Sequence, residues 1–298
     1  MNETTAVIAR LECASKRYGN VLALDAVDLQ VHRGEVLAVL GPNGAGKTTA
    51  ISLLLGLFET DSGSATLFDA SPHALSSRQR IGAMLQTSGV PETLTVGELI
   101  CLFRSYYPKP RTVADIVALA GVEYLLKKRY GKLSGGQQRR AQFALALAGR
   151  AEVLFLDEPT TGLDIQARET LWKTIRQLVG DGCAVVLTTH YLEEAEALAD
   201  RVSMLAQGRI VAEGSVSDLR ARVAQRRIRC VTALQPESIE PWPEVRAVTR
   251  SGQHVEIVSD AAEDVVRRLL AADANLCDLE VHRAGLAEAF VEITREAA

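Results

Sequence analysis

Residues 36–48 read Val36-Leu-Ala-Val-Leu-Gly41-Pro-Asn-Gly-Ala-Gly-Lys47-Thr48, and this stretch decides the fold class. Its opening apolar run has no polar alternation, which is typical of a strand buried on both faces. The residues from Gly41 to Thr48 fit the pattern G-x-x-x-x-G-K-[ST], and a helix is predicted over 49–57. A buried strand, a glycine-rich loop and a helix in this order predict an α/β fold that binds phosphate groups.

The loop chemistry explains why these residue types occur at this spacing. Gly41, Gly44 and Gly46 allow the backbone to curl so that successive N–H groups point at an anion at a helix N-terminus. Lys47 can neutralise the β- and γ-phosphates, and the Thr48 hydroxyl can bind Mg²⁺. A chance match in a chain of this length has a probability of about 1%. The candidate nucleotide-binding residues here are Gly41, Pro42, Asn43, Gly44, Ala45, Gly46, Lys47, Thr48 and Thr49.

A second buried strand, predicted over 153–156, ends in the acid pair Asp157 and Glu158. Parallel strands present their carboxyl ends to the crevice where ligands bind in open α/β sheets. Asp157 is suited to hold Mg²⁺, through water, since Mg²⁺ keeps much of its hydration shell. Glu158 is then free to act as general base on the attacking water. Alone, the pair could equally be a helix cap; the phosphate-binding loop favours the catalytic interpretation.

Further unbroken apolar runs predict strands over 184–187 and 202–205, with helical patterns between them. This arrangement predicts a mostly parallel core sheet. Residues 7–13 and 27–31 alternate better and predict an antiparallel flap beside that sheet.

The strand pattern stops between about 88 and 132, where the capping box Thr95-x-x-Glu98 precedes residues at helical spacing. We predict a helical subdomain over about 88–140.

A second capping box, Ser215-x-x-Asp218, predicts a basic helix to about 227. Strands over 228–234, 245–249, 255–258 and 276–282 and helices over 261–272 and 286–294 follow. The predicted domains are therefore 1–225 and a small α/β domain, 226–298.

Composition narrows the function classes. The net charge of -4 argues against a protein that coats nucleic acid. Five scattered cysteines show no CxxC and no histidine at metal-ligand spacing, which favours reduced thiols in the cytosol. The N-terminal sequence shows no signal-peptide pattern, and no apolar run approaches the roughly 18 residues that span a bilayer.

Residues 133–140, Leu133-Ser134-Gly135-Gly136-Gln137-Gln138-Arg139-Arg140, identify a family. They resemble the signature of ATP-binding-cassette (ABC) ATPases and precede the acid pair by the expected interval. Ser134 can cap a helix that begins near Gln137, and the glycines leave N–H groups free at its positive end. The chain thus has a second candidate anion site, for which the candidate residues are Ser134, Gly135, Gly136 and Gln137.

Other residues match the family in order and take their roles from the resemblance alone. Tyr18 matches the aromatic residue that stacks on adenine, although core packing is its alternative. Gln86 matches the glutamine that contacts Mg²⁺ or the water. Asp164 matches the loop that joins the two nucleotide sites of a dimer, and His190 matches the histidine that contacts the γ-phosphate. The expected catalytic residues are therefore Glu158, His190 and Gln86, and the expected metal ligands are Thr48, Gln86 and Asp157.

The resemblance covers roughly residues 7–220 and is nearest to bacterial drug exporters of the ABC-2 type. It implies the P-loop NTPase fold of an ABC cassette, ATP and Mg²⁺ as ligands, and a head-to-tail dimer of two copies. It also implies a separate transmembrane permease, export, a cytoplasmic position on the inner face of the cell membrane, and no nucleic acid. The tail departs from the family pattern, since Arg295 stands where a glycine is expected.

Two other function classes fit part of the pattern. A non-transport ABC ATPase of the translation or DNA-repair type usually has two cassettes in one chain or long heptad arms, and this sequence has neither. A regulatory module that holds ATP without hydrolysing it usually lacks part of the catalytic set, whereas Gln86, Asp157, Glu158 and His190 are all present. Both classes are disfavoured for these reasons.

Overall fold

The computed structural model describes residues 6–86, 89–221, 226–283 and 285–296. Two compact units divide the chain: the first ends at Ser215 and the second begins at Val216. The strands of the first unit are β1 (Val7–Tyr18), β2 (Val21–His32), β3 (Val36–Leu40), β4 (Ser62–Leu67), β5 (Ile81–Met84), β6 (Val153–Asp157), β7 (Ala184–Thr189), β8 (Arg201–Ala206) and β9 (Arg209–Gly214). Its helices are α1 (Lys47–Leu54), α2 (Leu75–Arg78), α3 (Val96–Arg104), α4 (Val113–Ala120), α5 (Gly135–Ala146), α6 (Ile165–Gly180) and α7 (Leu192–Leu198).

The core of the first unit is a six-stranded sheet in the order β5-β6-β7-β3-β8-β9. All neighbouring pairs are parallel except β8 and β9. Every residue of β3, β6 and β7 is buried, as expected of strands covered on both faces. The mostly parallel sheet predicted from the apolar runs is confirmed. Because β3, β6 and β7 run in the same direction, the segments that follow them emerge at one edge of the sheet.

A three-stranded antiparallel sheet, in the order β2-β1-β4, forms the flap. In β2 the buried side chains are Leu24, Val27, Leu29 and Val31, so one face of the flap packs into the core. The sequence predicted segments of β1 and β2 but not β4. Its residues, Ser62-Gly-Ser-Ala-Thr-Leu67, lack a period-two apolar pattern and join the sheet by pairing with β1.

The helical subdomain contains α3, α4 and the start of α5. Thr95 caps α3 through the predicted capping box: its backbone N–H donates to Glu98 Oε2 at 2.8 Å, and its hydroxyl accepts from the Glu98 N–H at 3.3 Å. Thr112 caps α4 in the same way, accepting from the Asp115 N–H at 3.0 Å. The helices of this subdomain therefore start at side chains that satisfy their first N–H groups.

The second unit contains α8 (Val216–Ala221), β10 (Arg226–Val231), α9 (Pro236–Ile239), β11 (Val245–Ser251), β12 (His254–Ser259), α10 (Ala262–Ala272), β13 (Cys277–Arg283) and α11 (Leu286–Glu296). Its sheet is antiparallel, in the order β11-β12-β10-β13. The core includes Ile228, Val255, Ile257 and Leu269. The small α/β unit is thus present, with a four-stranded sheet.

Two boundaries differ from those predicted. The helix predicted to reach about 227 ends at Ala221 in the described part, and Arg226 and Arg227 lie in β10, paired with Ser259 and Val258. Residues 222–225 lie outside the described residues. The division between units falls after Ser215 instead of after 225 because α8 packs on α11 of the second unit.

Among the described residues, no helix combines the length and the apolar character needed to cross a membrane.

Candidate functional site

The phosphate-binding loop connects β3 to α1. Gly46 is the N-cap of α1 and has φ of 106°, a conformation that residues with a side chain rarely adopt. A Cβ at this position would lie 2.5 Å from the Ala23 carbonyl oxygen and 2.7 Å from Leu24 Cδ2. Glycine is therefore required here on both conformational and steric grounds. The α1 N-terminus consequently begins without a capping side chain, so its N–H groups stay available to a ligand.

Lys47 is the first residue of α1 and is almost fully buried. Its ammonium group donates to the carbonyl oxygens of Gly41 at 2.8 Å and Pro42 at 3.0 Å. Burial lowers the pKa of Lys47, while the nearby carboxylates of Glu158 and Asp157 oppose this shift. The loop thus holds a cation close to two acids, in a position to meet an anionic ligand.

Asp157 ends β6 and is 1% exposed. The Thr48 hydroxyl donates to its Oδ2 at 3.0 Å, and the Thr188 hydroxyl donates to its Oδ1. Two adjacent parallel strands and the first turn of α1 therefore converge on one carboxylate. This arrangement places the two predicted oxygen ligands, Thr48 and Asp157, side by side.

Glu158 follows directly and has φ of 49°, a left-handed conformation that turns the chain sharply at the end of β6. Its N–H donates to the Thr188 carbonyl oxygen at 3.1 Å. Its Oε1 lies 3.1 Å from His190 Nδ1, and its Oε2 lies 3.5 Å from the Thr161 hydroxyl. The structure therefore brings the predicted base and the predicted histidine into direct contact.

A cleft of about 340 Å³ lies above these residues. It is lined by Val21, Ala23, Asn43, Gly44, Gly46, Lys47, Thr48, Thr49, Gln86, Glu158 and His190. Nine of these eleven were predicted site residues, while Val21 and Ala23 were missed. Both belong to the start of β2, whose apolar side chains carry no chemical signal. Asp157 lies beneath Thr48 instead of on the cleft wall.

Tyr18 ends β1 and is not among the described residues that line the cleft. Its side chain is 42% exposed and packs edge-on against Phe58, with ring centroids 5.8 Å apart. It is therefore not a buried core aromatic. Stacking on adenine stays a prediction for this residue.

The signature segment forms the N-terminus of α5. Ser134 is the N-cap: its hydroxyl accepts from the Gln137 N–H at 3.4 Å, while its own N–H donates to Gln137 Oε1 at 3.2 Å. The helix begins at Gly135, two residues earlier than predicted. Ser134 and Gly135 are exposed, and a Cβ on Gly136 would lie 2.8 Å from the Gly162 carbonyl oxygen. None of the four predicted signature residues is among the residues that line the cleft.

Asp164 is the N-cap of α6 and accepts from the Ala167 N–H at 2.7 Å. It also forms an ion pair with Arg140 of α5 at 3.6 Å, although its side chain is 74% exposed. The loop that carries Asp164 therefore lies against the signature helix within one chain. A role for Asp164 between two nucleotide sites stays a prediction.

The site as a whole defines a class of protein. A glycine-rich loop at an uncapped helix N-terminus, a buried lysine, a hydroxyl beside a buried aspartate and an adjacent glutamate are together typical of P-loop nucleoside-triphosphatases.

Comparisons with known proteins identify the family. A family model described as "ABC transporter" matches residues 24–161. The daunorubicin resistance ATP-binding protein DrrA3 of Streptomyces coeruleorubidus is 38% identical over 94% of each chain. The Nod factor export ATP-binding protein I of Burkholderia orbicola is 40% identical over 67% of this chain and 68% of its own. The chain belongs to the ABC transporter family and is one of its ATP-binding subunits, of the exporter type, with ATPase activity.

Solved structures support the same conclusion about the fold. An ATP-binding subunit of an ABC transporter superposes with a TM-score of 0.66 at 26% identity, covering 72% of this chain and 92% of the other. The bacterial ABC transporter cassette MJ0796, solved as a dimer, gives a TM-score of 0.64 at 25% identity, covering 70% of this chain and 98% of the other. The predicted P-loop NTPase cassette fold is therefore confirmed.

Proposed function

We propose that two copies of this chain pair head to tail, so that the signature of each copy closes over the ATP held by the other. The observation that supports this pairing is the position of the signature segment. Residues 134–137 form a capped helix N-terminus in which Ser134 and Gly135 are exposed, and none of the four is among the described residues that line the cleft. A second copy in head-to-tail orientation would bring its signature segment to this cleft.

Within each composite site, we assign binding and hydrolysis to different residues. Lys47 and the N–H groups of the loop bind the β- and γ-phosphates. Glu158 accepts a proton from the attacking water, because its carboxylate reaches the cleft from the end of β6. His190, 3.1 Å from Glu158, orients that carboxylate and reaches toward the γ-phosphate. Gln86, which also lines the cleft, follows the neighbouring parallel strand β5 and contacts the water from there.

The residues present fit a magnesium ion. Thr48 and Asp157 offer hard oxygen ligands within 3.0 Å of each other, and the first reaches the cleft. The Thr48 and Thr188 hydroxyls both donate to the Asp157 carboxylate and fix its position beside the cleft. We therefore propose that Thr48, Asp157 and Gln86 hold Mg²⁺, which supplies positive charge beside the phosphates.

We further propose that the dimer works at the inner face of the membrane with a separate transmembrane permease and drives export. Relatives whose names refer to daunorubicin resistance and Nod factor export support this assignment. Coupling would run through Gln86 and the helical subdomain, because Arg139 of α5 donates to the carbonyl oxygen of Leu85 at 3.3 Å. Tyr106, exposed on the same subdomain and packed against Phe103, offers an aromatic contact for the permease.

Mixing two inactive variants tests the head-to-tail pairing. Lys47→Ala disables the phosphate-binding loop, and Gly135→Glu places a negative charge on the exposed signature, where an added Cβ meets nothing within 4 Å. Each variant alone should hydrolyse little ATP. An equal mixture should recover about a quarter of wild-type turnover, because half of the dimers then contain one intact composite site. No recovery on mixing, while both variants remain folded, would contradict the pairing.

Capture of the ATP-bound dimer tests the permease assignment. The tagged Glu158→Gln variant, which should bind ATP without rapid hydrolysis, is expressed in its native cells. It is then purified from detergent extract with ATP and Mg²⁺. We expect a stoichiometric polytopic membrane protein to co-purify, and Lys47→Ala serves as the control that should not hold a closed dimer. A ribosomal or DNA-bound partner, or a dimer without any membrane protein, would contradict the transport assignment.

A further inference from the structure

Glu194, on α7, is an acidic residue that the functions described above do not use. Its side chain is 1% exposed, and neither carboxyl oxygen has a hydrogen-bond partner among the described residues. A buried charge without a partner is costly, and buried polar groups in native proteins are nearly always satisfied. Its neighbour Glu193 is exposed on the same helix, which makes burial of Glu194 a specific feature of this position.

The environment of Glu194 favours a neutral carboxylic acid. Burial raises its pKa, and the Thr189 and Thr160 hydroxyls, the Trp172 indole and the positive charge of Arg168 oppose this shift in decreasing order. The Thr189 and Thr160 hydroxyls and the Trp172 indole lie close enough to act on the carboxyl group. In this arrangement neither Glu194 oxygen nor Trp172 Nε1 has a partner among the described residues at ordinary hydrogen-bond geometry. Of the strands against which α7 packs, β3 and β7 contain no titratable side chain. Helix α6, which also packs against α7, carries Arg168, Glu169, Lys173 and Arg176, and among these Arg168 acts on the Glu194 carboxyl.

The two threonines near Glu194 belong to the segments that carry the candidate catalytic side chains. The Thr189 hydroxyl accepts from the Tyr191 N–H at 2.9 Å and so shapes the turn that contains His190. Thr160 lies in the loop after Glu158, where its carbonyl oxygen accepts from the Leu163 N–H at 3.0 Å. Glu194 therefore lies beside both segments, whose side chains Glu158 and His190 meet at 3.1 Å.

We propose that Glu194 is a positioning residue. As a neutral acid it bridges the loop that follows Glu158 and the turn that contains His190, and it thereby keeps the side chains of Glu158 and His190 in contact. A neutral carboxyl can both donate through its O–H and accept through its carbonyl oxygen, which a carboxylate cannot do. The two threonine hydroxyls are suitable partners for such a bridge. This inference rests on the roles proposed above for Glu158 and His190.

The proposal predicts a direction for the dependence on pH. Because burial raises the pKa of Glu194 above its ordinary value, the neutral form persists to a higher pH than in the unfolded chain. The positioning effect is present below the folded-state pKa and is lost as the pH rises through it. Glu194→Gln keeps one donor and one acceptor at all pH values, so it should abolish this loss.

Steady-state kinetics provide the first test, with Glu193→Gln as the matched control on the same helix. Glu194→Gln should keep kcat within about 2-fold of wild type and should hold that rate further into the alkaline range. Glu194→Leu should lower kcat by about 10-fold or more while the KM for ATP changes by less than about 2-fold. An unchanged kcat in Glu194→Leu would overturn the proposal, and so would an equal loss of kcat in Glu194→Gln and Glu194→Leu.

Tryptophan fluorescence provides a second test that does not depend on turnover. The chain has two tryptophans, so Trp242→Phe leaves Trp172, beside Glu194, as the single reporter. Its emission should change with a midpoint above pH 4.5, the ordinary pKa of this group, and Glu194→Gln should remove that transition. If no such transition occurs, the neutral acid is excluded whatever the rate of hydrolysis. If Glu158→Gln and His190→Ala instead hydrolyse normally, the proposed catalytic roles fail while the fluorescence result stands.

Discussion

The phosphate-binding loop and the signature segment both place glycines at a helix N-terminus, but the two helices begin differently. At α1 the N-cap is Gly46, in a left-handed conformation, and the helix starts inside a cleft without a capping side chain. At α5 the N-cap is Ser134, whose reciprocal capping box with Gln137 satisfies part of the helix end, and both Ser134 and Gly135 are exposed.

Because of this difference, the phosphate-binding loop is suited to bind a ligand with the residues of one chain, whereas the signature segment is suited to contribute only part of a site. An uncapped helix end enclosed by other groups can bind an anion with the residues of one chain. A capped helix end on the surface has a stable structure before any ligand arrives, and it requires a second surface to form an enclosed site. Variants in the phosphate-binding loop should therefore change the affinity of the single chain for ATP, whereas variants in the signature should change hydrolysis by the dimer.

Glu158→Gln should give the largest effect, and it separates hydrolysis from ATP binding at the cleft that the phosphate-binding loop lines. Removing the general base should slow hydrolysis by about 10²–10⁴-fold, while the affinity for ATP is retained because the loop is untouched. Phosphate release and equilibrium nucleotide binding measure the two quantities. Turnover at the wild-type rate in this variant would exclude Glu158 as the base.

Lys47→Ala should lower the affinity of the single chain for ATP by about 100-fold, because it removes the cation that faces the phosphates. The fold should survive, since the hydrogen bonds of the Lys47 ammonium group go to the carbonyl oxygens of Gly41 and Pro42 in the loop itself. The control is Lys132→Ala, which changes an exposed lysine two residues before Ser134. Calorimetric titration with ATP distinguishes the variants, and undiminished affinity in Lys47→Ala would remove the role that we assign to it.

Gly135→Glu should leave the affinity of the single chain for ATP within about 2-fold, because the signature is remote from its own cleft. Hydrolysis by the dimer should fall by about 10–100-fold through repulsion of the triphosphate. Gly135→Ala, which adds a methyl group into open space, is the control and should lose far less activity. Weaker ATP binding by the single chain would show that the two segments act within one copy.

Ser134→Ala should have the smallest effect of these variants. Removal of the helix cap should lower the free energy of unfolding by about 1 kcal/mol. Thr112→Ala removes an equivalent cap from α4 and should cost a similar amount. Only Ser134→Ala should also slow hydrolysis, because Thr112 lies outside the proposed composite site. Urea denaturation and ATPase assays on both variants measure this difference, and equal ATPase activity would leave Ser134 with a structural role alone.

Much of this fold could be predicted from the sequence, for physical reasons that are local. Strands β3, β6 and β7 are unbroken apolar runs, and their common direction brings Lys47, Glu158 and His190 to one edge of the sheet. Strand β4 was missed because its small residues carry no pattern and its pairing with β1 is long-range. The capping box Ser215-x-x-Asp218 predicts a basic helix that extends over Arg226 and Arg227, whereas pairing with β12 places these two residues in a strand.

The parts of the site that were missed share one property: their importance depends on tertiary neighbours. Val21 and Ala23 are ordinary strand residues until the hairpin places them on the cleft wall. Glu194 follows another glutamate in a helix, a pattern typical of a solvated face, and only packing shows that it is buried. In contrast, the expected roles of Tyr18 and Asp164 come from the family resemblance. Both side chains are exposed: Tyr18 packs against Phe58, and Asp164 forms an ion pair with Arg140.

The close approach of Gly136 to Gly162 has a mechanical consequence. With 2.8 Å between a hypothetical Cβ and the opposing carbonyl oxygen, the two backbones have almost no clearance. The loop of Gly162 begins at Glu158, and the helix of Gly136 begins at the signature. Because the two backbones are in such close contact, one segment cannot be displaced without displacing the other. Any movement of the signature segment is thus transmitted, within the same chain, to the loop that follows Glu158.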